Sequence, residues 1–182
     1  MKKLPIAAAL AFALAAPAAF AHDGDGDKIR AHLIGFNEVP SVSTPGTATL
    51  EATINKDETA IDWELTYQDM QADVTQAHIH IGQARVNGGI VLWFCKTTQT
   101  APTTNICTPR SGNFSGTFTA ADVQPQNAQG IAAGDFAEVV AAIRAGVAYA
   151  NVHTTQSPGG EIRGQFRRDR GHGHGHDDHH HH

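Results

Sequence analysis

Three histidines carry the chemistry open to this sequence. His78 and His80 stand two apart in Ala77-His78-Ile79-His80-Ile81-Gly82. Side chains on a β-strand alternate between its faces, so the two imidazoles share one face while Ile79 and Ile81 share the other, free to enter a core. A third, His153, ends the apolar-alternating segment Tyr149-Ala150-Asn151-Val152-His153-Thr154. Neutral imidazole nitrogen suits copper, zinc, iron and nickel. Three such rings on apolar-backed strands read as a folded transition-metal site, for copper by preference or else zinc, with one position left open for water, substrate or a fourth ligand. The competing reading keeps them as ordinary half-buried polar residues that tie strand ends together.

A second group of histidines lies at the C-terminus, where Gly171-His172-Gly173-His174-Gly175-His176-Asp177-Asp178-His179-His180-His181-His182 holds seven of the twelve in the chain. The tract has no apolar residue and cannot fold alone. Its composition is that of a divalent-metal binder. His172, His174, His176, His179 and His180 are thus expected to act as auxiliary ligands on a disordered arm over 168–182, raising the metal concentration beside the folded site. The last four histidines also fit the remnant of a purification tag; the interleaved Gly-His repeat with its two aspartates does not.

The N-terminus reads as a targeting segment. Lys2 and Lys3 precede the Ala/Leu/Phe-rich run Ile6 to Phe20, and Ala19-Phe20-Ala21 gives a small-x-small cleavage pattern. The run is too short and Ala-rich for a membrane anchor. Cleavage after Ala21 is expected, with export to a bacterial periplasm or beyond; loss of the two lysines takes the formal charge from −5 to −7. With no basic block elsewhere, nucleic acid and anionic membrane surfaces are poor partners. Residues 22–29 read as a polar, Gly-rich leader. Export also bears on Cys95 and Cys107, the only cysteines. An even count in an oxidising compartment reads as a disulfide closing a polar loop; the alternative is a pair of thiolate metal ligands.

The elements that must position the histidines follow from periodicity. Ala31 to Phe36 is a first apolar run, and Thr47 to Ile54 alternates. Ile61, Trp63, Leu65 and Tyr67 alternate with Asp62, Glu64, Thr66 and Gln68 in the clearest period-2 pattern of the chain. The His-x-His strand, the continuous run Ile90 to Phe94, Phe114 to Phe118, Val147 to His153 and Glu161 to Phe166 complete the set. Only Asp135 to Arg144 has helical spacing, through Phe136, Val139, Val140 and Ile143, with Gly146 as a stop. The expected fold is all-β: an antiparallel Greek-key sandwich or barrel, immunoglobulin-like or Cu/Zn-superoxide-dismutase-like, with one short helix.

Polar residues near the histidines admit roles as well. Glu161 and Arg163 stand two apart on one strand face. Glu38, in an early turn, is placed to meet Arg163 across the sheet and close one end of the fold. Glu38 or Glu161 alternatively orients an imidazole as its acceptor. Asn151 shares the face of Tyr149 and His153 and lines the same pocket.

Four ordered segments, His32-Leu33-Ile34-Gly35-Phe36-Asn37-Glu38-Val39-Pro40, Ala77 to Gly82, Tyr149 to Thr154 and Pro158-Gly159-Gly160-Glu161-Ile162-Arg163-Gly164-Gln165, together resemble the CHRD domain, named for the repeats of chordin and frequent in bacterial exported proteins. The resemblance spans about Ala31 to Arg167, within an expected domain at 30–167. It implies an antiparallel β fold in a secreted protein and supplies no activity. The histidine arrangement is also similar to the copper half of Cu/Zn superoxide dismutases, without their long zinc loop. No Ser-His-Asp arrangement, nucleophilic cysteine or nucleotide-binding glycine motif is present. The reading favoured is an exported metal-binding or homeostasis protein rather than an enzyme. The alternatives are an extracellular module that binds a protein partner and a copper-dependent redox enzyme.

Overall fold

The computed structural model describes residues 26–98, 103 and 105–168. The expected signal segment over 1–21, residues 22–25 and the tail from 169 onward, with His172, His174, His176, His179 and His180, lie outside the described residues. Among the described residues no helix is long and apolar enough to cross a membrane.

The period-2 segments all form strands. They are β1 (Asp27–Ile34), β2 (Thr47–Ile54), β3 (Ala60–Gln68), β4 (Val74–Ile81), β5 (Gly89–Lys96), β6 (Gly112–Thr119), β7 (Ala148–Thr154), β8 (Ile162–Gln165) and the short β9 (Arg167–Arg168). They make one sheet in the order β5-β4-β7-β8-β1-β2-β3-β6, with β9 also on β1, and every strand pair is antiparallel. The sheet curls into a nearly closed barrel, so the expected all-β fold with one short helix is what forms. The leader ends sooner than the polar sequence implies. β1 begins at Asp27, because Ile29 pairs with Ala52 and is buried in the core.

One face of each strand from β1 to β8 feeds a single hydrophobic cluster. Leu33, Leu50, Ile61, Leu65, Ile79, Leu92, Ala150, Val152 and Ile162 all belong to it. The helix α1 (Phe136–Arg144) adds Phe136, Val139, Val140 and Ile143, the residues its 3.6 period puts on one side. Gly146 follows at φ 73°, the left-handed conformation a helix stop requires. The outer edge of β5 is occupied by neighbouring backbone and side chains: Gln124 N–H donates to Val91 O, Cys107 N–H to Lys96 O, and Gln126 Nε2 to Ile90 O. Cys95 and Cys107 are disulfide-bonded, which rules out the thiolate-ligand reading.

Candidate metal centre

β4 and β7 are neighbours, and their register sets His78 opposite Asn151, His80 opposite Tyr149 and His153 opposite Gln76. Opposed residues of an antiparallel pair point to the same face. Here that face is the one turned away from the hydrophobic cluster, which takes Ala77, Ile79 and Ile81 from β4 and Ala148, Ala150 and Val152 from β7. On the β5 side the ladder shifts register at Ala77/His78 and again at Ile79/His80. Such bulges re-aim side chains, and one of them sets Trp93 opposite His78.

The three rings expected to converge do so. Ring centroids are 4.5 Å apart for His78 and His80 and 4.6 Å for His78 and His153. One nitrogen from each residue lies within 4.8 Å of the other two. Ligand nitrogens about 2.05 Å from a tetrahedral ion stand about 3.4 Å apart, so a small closing movement suffices.

The hydrogen bonds decide which nitrogens point inward. His80 Nδ1 donates to Gly88 O at 2.8 Å, and His153 Nδ1 to Pro158 O at 2.9 Å. A carbonyl only accepts, so each Nδ1 carries the proton and each Nε2 keeps its lone pair. Both Nε2 atoms, and both ring nitrogens of His78, are buried without a hydrogen-bond partner. A buried polar atom left so costs about 1–3 kcal/mol. One such nitrogen from each of the three rings, all within 4.8 Å of one another, marks a place for a ligand, and carbonyl-oriented imidazoles are how metal-binding histidines are usually held.

Electrostatics keep the rings in the ligating form. Burial pushes His78 well below its ordinary range, helped by His80 and His153. Burial likewise takes His80 down to about 4, against the opposing pull of Gly88 O. His153 is lowered by burial too, partly offset by Pro158 O. All three are neutral at physiological pH, as metal ligation requires.

Aromatic groups wall the centre. The Tyr149 ring stacks on His80, centroids 4.6 Å apart and 8° from parallel, and its hydroxyl accepts the Gly88 N–H at 3.1 Å. The Arg163 guanidinium lies 3.4 Å from the centroid of the same ring. Trp93 meets His78 edge-on at 4.8 Å. Neither Trp93 nor the Gly88 and Pro158 carbonyls are singled out by sequence. A carbonyl belongs to every residue, and the continuous apolar run Ile90 to Phe94 hides the bulge that turns Trp93 toward His78.

The polar residues expected to orient the imidazoles have other work. Glu38 is buried and accepts a short hydrogen bond from Asn151 Nδ2, which also donates to Ile162 O. Burial raises Glu38 to about 7, against the lowering effects of Asn151 and Arg163. Arg163, only 2% exposed, does not pair with Glu38. It donates to Asn87 Oδ1 and to the carbonyls of Gln83 and Val86, fixing the β4–β5 loop that supplies Gly88 O. Glu161 accepts from Thr154 Oγ1 at 2.6 Å, Thr44 Oγ1 at 2.7 Å and the Gln71 N–H at 2.9 Å. Neither carboxylate hydrogen-bonds an imidazole, because backbone carbonyls already orient His80 and His153 without burying further charge.

Comparisons with curated proteins and with solved structures return no match. The family model of the CHRD domain matches residues 29–166, from the first buried residue of β1 to the residue that follows β8. Its span takes in both histidine strands, the carboxylate and arginine networks and the covering loops: the chain belongs to the CHRD domain family.

Proposed function

We propose that this CHRD protein is an exported transition-metal carrier that holds a copper or zinc ion between His78, His80 and His153. The observation that carries the reading is the convergence of three buried, unpartnered ring nitrogens, one from each histidine, within 4.8 Å of one another. The ligand nitrogens are shut off from solvent, each with less than 1 Å² exposed, which speaks for retention rather than turnover. The tail histidines His172, His174, His176, His179 and His180 act as a collecting arm that feeds this centre. Elemental analysis after equilibration with copper and zinc tests it. A full-length variant with the tail histidines replaced by asparagine retains one equivalent of metal, and adding His78→Ala or His153→Ala abolishes it. Retention of that equivalent in both variants refutes the reading.

A second reading, an extracellular interaction module, is favoured by a cleft of about 800 Å³ beside the turn Gly35–Asn37. Arg30, Arg85, Arg167 and Arg168 line it with Phe36, which is 71% exposed, on a chain of net charge −5. Such a cleft suits an acidic protein partner. Pull-down from extracellular fractions that is lost in Arg85→Glu/Arg167→Glu supports it, and binding unaffected by the double substitution rejects it.

A further inference from the structure

The charge around the histidine centre restricts which ion it accepts; this rests on the metal-binding reading above. Three neutral imidazoles supply no negative charge. The two buried carboxylates nearby are engaged elsewhere, Glu38 with Asn151 and Glu161 with Thr44, Gln71 and Thr154. The charged side chains stacked about the centre are both cations. Arg163 sits on the Tyr149 ring, which stacks in turn on His80. Lys96 Nζ lies 4.9 Å from the ring centroid of Trp93, whose edge meets His78. The unpartnered nitrogens are sealed from solvent.

The self-energy of a buried ion rises with the square of its charge, so a divalent ion costs about four times what a monovalent ion does. Three-histidine sites that hold a divalent ion keep a fourth position for water or hydroxide, whose negative charge offsets the metal. A centre sealed from bulk water leaves little access for that fourth ligand, and the flanking cations add to the cost of a second positive charge on the ion. A filled d shell imposes no directional preference, and a singly charged ion of that kind is satisfied by three ligands; zinc(II) shares the filled shell but has twice the charge.

We propose that the centre formed by His80 Nε2, His153 Nε2 and one nitrogen of His78 is selective for monovalent copper, Cu(I), over Zn(II) and Cu(II).

The test uses the full mature chain beside His78→Ala and His153→Gln, each checked for native fold by circular dichroism, so that tail binding cancels in the difference. Cu(I) is supplied without oxygen as its complex with a chromophoric chelator; Zn(II) and Cu(II) are supplied from their own chelators. The expected result is one equivalent of Cu(I) more in the parent protein than in either variant, with at least about 100-fold preference over the other two ions at the variant-sensitive site. Tryptophan emission falls on Cu(I) addition and falls less in Trp93→Phe. Variant-sensitive Zn(II) or Cu(II) binding as tight as Cu(I) overturns the selectivity and leaves a metal centre standing. If no ion shows variant-sensitive uptake, both the selectivity and the metal-binding reading fall.

Discussion

Tyr149 lies flat against His80, 4.6 Å between centroids and 8° from parallel, while its hydroxyl takes the N–H of Gly88, the residue whose carbonyl fixes the His80 ring. One side chain thus holds an imidazole twice, by contact and through the loop that orients it. Tyr149→Phe keeps the stack and loses the hydroxyl, with an expected loss of about 1 kcal/mol in urea unfolding. Tyr149→Leu also removes the stacking and the Arg163 contact. It is expected to weaken metal binding about ten- to a hundredfold, the usual scale for lost support of a ligand. Chelator competition on the two variants checks the order; equal affinities would show that the stack does not hold His80.

The pH profile of the metal-free protein follows from the buried titrating groups. His80 is held down to about 4 from 6.5. Between those values the unfolded chain binds a proton that the folded chain refuses. Its contribution is therefore full above pH 6.5 and lost as pH falls toward 4, on the order of 3 kcal/mol. His78 and His153 are displaced in the same direction. Glu38 runs the other way: raised from 4.5 to about 7, its contribution is full below pH 4.5 and lost as pH rises through 7. With three imidazoles against one carboxyl, the melting temperature is expected to climb from pH 4 to 6.5. In Glu38→Gln the climb steepens. Calorimetry across this range checks both, and a parent profile that falls from pH 4 to 6.5 contradicts the assignment.

Gly160 closes the turn whose Pro158 carbonyl holds His153. Its φ of 124° is disfavoured for any other residue, and a Cβ there would stand 2.6 Å from Glu38 Oε1 and 2.8 Å from Asn151 Nδ2. Gly160→Ala is expected to destabilise by about 2 kcal/mol or more and to lower metal affinity by displacing the turn. Gly159→Ala, one residue earlier, meets nothing within 4 Å and serves as the control. Thermal melts and metal titration of the pair measure the contrast.

The Cys95–Cys107 bridge closes a loop of sequence separation 12 beside the strand that carries Trp93. Removing it through Cys95→Ala/Cys107→Ala is expected to cost about 2–3 kcal/mol, from loop-closure entropy. Urea unfolding of the oxidised parent and the double variant gives the difference.

Much of this design is legible in the sequence because it rests on period and spacing. Alternation over Thr47 to Ile54 and Ile61 to Tyr67 gives β2 and β3 nearly to the residue, and His-x-His on an apolar-backed strand gives two of the three imidazoles that come together. Helical spacing from Phe136 to Ile143 gives α1. Other features escape for physical reasons. Asp27 and Lys28 are polar, yet they pair in β1 because the ladder with β2 extends past the apolar run. Glu38 and Arg163 are natural opposites by charge, but Asn151 is the nearer donor and Arg163 is drawn to the carbonyls of Gln83 and Val86. Two bulges in β5 scramble alternation where Trp93 turns toward His78.

The imidazoles stand on the side of β4 and β7 that faces away from the hydrophobic cluster. The barrel accordingly closes without waiting for an ion, and its interior is indifferent to whether one is present. On the metal-binding reading, a protein built this way is expected to be loaded after it has folded and to be emptied and refilled while keeping its shape. That is the behaviour of a reusable vessel, unlike a small zinc domain that collapses when its metal is withdrawn.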